Sequence, residues 1–148
     1  MIAVVQRVTH AQVTVAGEIV GRINAGLVAL VAICAEDTDA DTRWMAGKLA
    51  TLRIFRHGDK YFDHDVAQIG GAILLISNFT VAAETATGRR PSLSPAAPPE
   101  KARVLFDQLV LATRALNIPV ETGRFQAEML VDLQNDGPVT MIVDSRSH

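Results

Sequence analysis

Ten consecutive residues from Gly26 to Ala35 (GLVALVAICA) carry no charged side chain, and this run constrains the fold more than any other segment. It is half the ~20 residues that a bilayer-spanning helix needs, and Glu36 and Asp37 follow at once, so no transmembrane helix is expected and the run belongs in a protein core. Upstream, from Ile2 to Val15, apolar residues tend to alternate with polar ones, the period of half-buried strands, and two strands are expected there. Ala16-Gly17-Glu18 reads as a turn before Ile19 to Ile23, and Asn24-Ala25-Gly26 as another before the apolar run. The first 35 residues therefore read as an antiparallel meander.

Beyond it the period changes. Asp37 or Thr38 is placed to cap a helix through Trp44, Met45, Leu49 and Leu52, with Asp39 and Asp41 in its first turn, where the helix dipole favours negative charge. Leu74, Leu75, Ile76 and Phe79 follow Gly70 and Gly71 and read as a buried strand running into Ser77 to Val81. From Ala82 to Pro99 the chain is dense in Pro, Ser, Thr and Gly and reads as a surface loop. Pro98 or Pro99 then opens a second helix carrying Leu105, Leu109, Ala112 and Leu116 on one face, ended by Asn117 and Pro119. Val120 to Phe125, Met129 to Leu133 and Val139 to Val143 add three short strands, with Asn135-Asp136-Gly137-Pro138 as a turn between the last two. Seven or eight strands with two helices predict an α+β fold: a mainly antiparallel, curved sheet or barrel-like core with two covering helices. With no linker and no repeat, residues 1–148 are expected to form a single domain.

Several function classes fall away. Cys34 is the only cysteine, which rules out an internal disulfide or a thiolate metal cluster, and its apolar setting predicts a buried thiol. Lys and Arg total 14 against 16 Asp and Glu, so any contact with nucleic acid must rest on a local basic patch. The N-terminus places Gln6 and Arg7 where a signal peptide would be apolar, and a cytoplasmic protein is expected.

Two segments could carry chemistry. Ser77-Asn78-Phe79-Thr80-Val81 sets two hydroxyls at the end of an apolar strand, where exposed backbone N–H groups can stabilise an oxyanion; an ordinary strand end has the same sequence character. Asn135-Asp136-Gly137-Pro138-Val139-Thr140 is the vocabulary of a turn, but Gly137 and Pro138 also offer two carbonyls with no bulky side chain, and a cis bond between them would hold those carbonyls parallel.

Taken together with Ala3-Val4-Val5-Gln6-Arg7-Val8, Leu52-Arg53-Ile54-Phe55, Gly88-Arg89-Arg90-Pro91-Ser92, Ala96-Ala97-Pro98-Pro99 and Pro119-Val120-Glu121-Thr122-Gly123-Arg124-Phe125, these segments resemble the D-aminoacyl-tRNA deacylases of the bacterial and eukaryotic type. The resemblance spans almost the whole chain, with its blocks in order. One block departs from the family pattern: Ser-Gln-Phe-Thr-Leu is Ser77-Asn78-Phe79-Thr80-Val81 here, so the amide is kept on a side chain one methylene shorter.

The resemblance implies a homodimer in which Gly137 and Pro138 of one subunit enter the other's active site. There their carbonyls would accept from the substrate's α-ammonium and leave no room for an L side chain. Arg7 would orient that segment through its fork of donors. It implies further that Ser77, Asn78, Phe79 and Thr80 form the catalytic segment, with the backbone N–H of Phe79 or Thr80 stabilising the oxyanion, water as nucleophile and the ribose 2'-hydroxyl of the aminoacyl-tRNA assisting it. Neither cofactor nor metal is implied. A filter that excludes a side chain has no steric reason to reject glycine, so glycyl-tRNA is an expected substrate. Arg89 and Arg90, joined by Arg53, Arg56 and Lys48, are the expected phosphate contacts.

Two rivals are weighed against this. A metal hydrolase would have to use His57, Asp63, His64 and Asp65, residue types that suit zinc or manganese. The Gly58-Asp59 hairpin turn and the opposite facing of adjacent strand residues speak against their convergence. A non-catalytic RNA-binding dimer rests on Asn78 and Val81 alone, and the few aromatic residues do not cluster with basic ones to form a stacking platform.

Overall fold

The computed structural model describes residues 1–147; His148, the end of the expected 1–148 domain, lies outside the described residues. Eight strands and two helices follow one another as β1 (Ile2–Val15), β2 (Glu18–Ile23), β3 (Gly26–Ala32), α1 (Asp39–Thr51), β4 (Phe55–His57), β5 (Lys60–His64), β6 (Ala72–Ser77), α2 (Pro99–Arg114), β7 (Val120–Thr122) and β8 (Leu130–Asp144). All but β4 and β5 form one curved sheet, in which β8 lies along one edge of β1 while β2 and β3 share its other edge, followed by β6 and β7. The expected α+β fold with two helices on a barrel-like sheet is what the chain adopts.

Four local expectations are corrected. The opening strand is a single 14-residue element, whose register slips between Gln6 and Val8 and between Val8 and His10. The first three strands are no meander, because β3 returns to pair with β1 rather than with β2. The pairings of β3 with β6 and of β6 with β7 are parallel, so the sheet is mixed. The predicted turn at Asn135 to Pro138 lies inside β8, which runs unbroken from Leu130 to Asp144 and absorbs those residues as the bulge opposite Arg7.

The apolar run fits β3 because that strand is covered on both faces. Leu27, Ala29, Val31 and Ile33 face the helices with Met45, Leu49, Leu105 and Leu109, while Val28 packs on the opposite face with Val13, Leu74 and Ile76. The second face is closed by curling, with β2 folded over until Gly21 leaves no room for a Cβ against the Thr122 carbonyl. Thr38 caps α1 in a capping box with Asp41. Met1 is fully buried, its α-ammonium donating to Asp37 and to Ser145 Oγ (2.9 Å), and Ser145 Oγ in turn donates to Asp41 Oδ1 (2.7 Å). Cys34 is buried as expected, and burial raises its thiol pKa. No helix among the described residues is long and apolar enough to cross a membrane.

Candidate active site

Strand β6 stops at Ser77 because Asn78 turns the chain. Its backbone N–H still donates to the Val31 carbonyl (2.8 Å), while its side-chain oxygen caps a 3-10 turn over Phe79–Ala82, accepting from the backbone N–H of Thr80 (3.2 Å) and from the Thr80 hydroxyl. The strand therefore does not continue to Val81. Of the two expected oxyanion donors, the Thr80 N–H is taken by Asn78. The Phe79 N–H is the first of the turn and has no helical carbonyl to reach. The shorter amide thus acts on its own backbone, and the Phe79 ring is 57% exposed.

Beside this turn opens a cleft of about 720 Å³. It is lined by Ser77, Phe79, Ile33, the Ala96–Pro99 segment, Phe125 and Met129. Phe125 packs against Phe106 at 6.3 Å between centroids, and the Arg103 guanidinium lies 5.4 Å over its ring. The cleft is largely apolar, with Gln126 and Glu128 at its margin. Of its lining, sequence reasoning singled out only Ser77 and Phe79. Phe125 and Met129, expected at the ends of two strands, instead lie in the connection between β7, which stops at Thr122, and β8, which starts at Leu130, and Phe125 lies within one of the family blocks.

Gly137 and Pro138 are elsewhere. Their peptide bond is cis, and Gly137 has φ +146°. Arg7 holds them from β1. It is 5% exposed, its Nε donates to the Asp136 carbonyl (2.9 Å) and pairs with the Asp136 carboxylate (3.2 Å), and its Nη1 donates to the Ile54 carbonyl (2.6 Å). Arg7 is therefore no edge-strand surface charge: β1 is flanked on both sides, and the guanidinium ties the residue that leads into β4 to the bulge of β8. Asn135 steadies the other side, its carboxamide accepting from Val139 N–H (2.7 Å) and donating to the Thr140 hydroxyl (2.9 Å).

The register separates the two segments within one chain. Ser77 is level with Val31, whereas Arg7 is level with Leu27, and Gly137 sits in the β8 bulge beside Arg7. That is four residues along the strands and three strand spacings across, at roughly 3.3 Å and 4.8 Å per step, or on the order of 20 Å. Neither Gly137 nor Pro138 lines the cleft. Arg89 and Arg90 are exposed on the loop closed by the Glu84–Ser92 bridge, beyond the Ser77 turn; Arg53 and Arg56 flank Ile54 at the Arg7 end, so one chain does not assemble the five basic residues into one patch.

His57, Asp63 and His64 do converge, against the expectation from strand facing. His57 reaches across from β4, and the β4–β5 register is irregular between Phe55 and His57, which takes this short ribbon off a regular pleat. Asp65 instead exchanges hydrogen bonds with Gln68.

Over nearly its whole length the chain is similar to known proteins. Residues 4–144 match the family model described as D-Tyr-tRNA(Tyr) deacylase. A D-aminoacyl-tRNA deacylase of Desulfitobacterium hafniense (strain DSM 10664 / DCB-2) is 51% identical over 148 residues, covering 100% of this chain and 99% of its own, and one of Chloroflexus aurantiacus (strain ATCC 29364 / DSM 637 / Y-400-fl) is 51% identical over 145 residues, covering 98% and 91%. Among solved structures, a c-Myc DNA unwinding element binding protein superimposes with a TM-score of 0.92 at 36% identity, covering 97% of this chain and 98% of that one. A probable eukaryotic D-amino acid tRNA deacylase, at 15% identity and a TM-score of 0.81 over 96% and 97% of the two chains, shares the fold. With the match running through the β6 turn, the apolar cleft and the Arg7-held bulge alike, the chain belongs to the D-Tyr-tRNA(Tyr) deacylase family, a family of hydrolases.

Proposed function

We propose that this chain hydrolyses the ester between a D-amino acid and the 3'-terminal ribose of tRNA, as a single-domain enzyme that works as a homodimer in the cytoplasm. The observation that carries the reading is the Phe79 N–H at the head of the Ser77–Thr80 turn, at the mouth of an apolar cleft, in a chain of this family. The terminal adenosine lies in the cleft, its planar base against the apolar lining that includes Pro98, Pro99, Phe125 and Met129, and its ribose ester reaches the turn. Water attacks the ester carbonyl, assisted by the ribose 2'-hydroxyl. The negative charge that develops on the carbonyl oxygen is met by the Phe79 N–H, and the ribose oxygen leaves with a proton. Thr80, hydrogen-bonded to Asn78, orients the substrate rather than attacking it.

Chirality is read by main chain. Gly137 and Pro138 accept from the α-ammonium and stand where an L side chain would go, so D-aminoacyl and glycyl esters enter and L esters do not. Because the segment lies on the order of 20 Å from Ser77 in its own chain, it serves the site of a second copy, and the exposed apolar residues of β8, Leu130 (72%) and Ile142 (76%), lie in the surface between copies. Arg89 and Arg90, beyond the Ser77 turn, contact tRNA phosphates.

Subunit complementation tests this. Gly137→Ala and Phe79→Pro, the latter lacking the proposed donor, are each expected to be inactive on D-tyrosyl-tRNA, and mixing the two after dissociation should restore about a quarter of the activity through heterodimers with one intact site. Folded, dimeric mixtures that regain nothing would refute supply of the filter by a second subunit.

A further inference from the structure

The β4–β5 hairpin carries a side-chain cluster that the ester chemistry does not use. His57 Nδ1 lies 3.1 Å from Asp63 Oδ2, and His64 Nε2 lies 3.9 Å from the same oxygen. One donor atom from each of the three falls within 4.8 Å of the others. The two imidazoles stack, with centroids 4.1 Å apart and planes 16° from parallel, so both rings bring a nitrogen to one carboxylate oxygen. Lys60 Nζ lies 4.0 Å from the other oxygen, Oδ1, and does not cover the shared one.

Two imidazole nitrogens and one carboxylate oxygen suit a borderline transition ion, whereas magnesium and calcium demand oxygen donors. Bonds of roughly 2.0–2.2 Å to such an ion set neighbouring donors roughly 3–3.5 Å apart. The His57–Asp63 spacing already meets this, and His64 joins by turning its ring out of the stack, because an imidazole lone pair lies in the ring plane and near-parallel rings cannot both aim at one ion. Asp63 and His64 are 28% and 24% exposed and His57 is 63% exposed, so the cluster is half-buried on β5 and open to water on β4.

We propose that His57, Asp63 and His64 form a surface site for a zinc-like divalent ion, with three protein donors and water in the remaining positions. Its effect is that of a clip. A two-stranded ribbon is marginal alone, and this one springs from Phe55, which is buried, next to Ile54, whose carbonyl anchors Arg7. An ion across β4 and β5 therefore steadies the element on which the Arg7 link is built, without touching the Ser77 turn.

The test uses untagged, full-length protein, stripped with chelator, dialysed and titrated with Zn2+ by calorimetry, with the bound metal counted by mass spectrometry. One zinc per chain at micromolar affinity or tighter is expected, together with a rise in Tm on saturation. Millimolar Mg2+ should not displace it. His57→Ala and Asp63→Asn, checked for native circular dichroism, should each bind roughly tenfold or more weakly and lose the Tm response. Absence of saturable uptake, or uptake unchanged in both folded variants, would overturn the proposal.

Discussion

At the scale of single residues, Gly137 is packed so closely that no side chain fits there. A Cβ there would lie 2.7 Å from Val139 Cγ2, 2.8 Å from Val139 N and 3.3 Å from Arg7 Nη2, at a φ that L residues rarely adopt. Gly137→Ala must therefore displace the segment or push Arg7 from the Asp136 carbonyl. The expected result is a loss of D-ester hydrolysis of about a hundredfold or more with a stability cost of only about 1–3 kcal/mol, measured by single-turnover deacylation and urea unfolding. Arg7→Lys keeps the charge but loses the fork, and one ammonium cannot reach the Asp136 and Ile54 carbonyls in the same geometry. A fall in activity with near-native stability is expected, whereas Arg7→Ala, which leaves buried acceptors unpaired, should also cost about 2–4 kcal/mol. Equal activity in Arg7→Lys would deny it a positioning role. From the residues alone Arg7 reads as either a surface ion pair or an anchor; its burial depends on β8 closing over β1, a pairing across 129 positions of chain.

At the scale of elements, helices were the most legible and strand continuity the least. The Leu105, Leu109 face and the Thr38 cap are local signals, and both helices form where they point. The Asn135-Asp136-Gly137-Pro138 segment carries every mark of a turn, yet β1 offers enough unbroken edge to pair on both sides of it, so the pairing absorbs it as a bulge. Asn78 ends β6 by a side-chain cap that periodicity does not register. The termini add a pH dependence. Asp41 is lowered from its ordinary value of 3.8 to about 2, first by the hydrogen bond from Ser145, and Asp144 is lowered similarly, first by Arg146. Since the folded state binds these protons more weakly than the unfolded chain, their stabilisation is complete above about pH 4 and is lost as pH falls towards 2. Urea midpoints should drop over that window, and Asp41→Asn should flatten the drop while lowering the midpoint at neutral pH. An unchanged slope in the variant would remove Asp41 from the explanation.

For the whole molecule, the proposed shared site needs a second copy to bring Gly137 to a Ser77 turn, and the exposed Leu130 and Ile142 side chains of β8 are its proposed contact surface. Sedimentation is expected to show a dimer that Ile142→Glu weakens, with activity falling in step with dimer content; a fully active monomer would contradict the shared site. Selective hydrolysis of D esters is tested most directly by following D-tyrosyl-tRNA and L-tyrosyl-tRNA side by side, with glycyl-tRNA as a third substrate and chelator present throughout. Rapid loss of the D and glycyl esters with the L ester intact is the predicted result, and equal hydrolysis of D and L esters, or of neither, would contradict it.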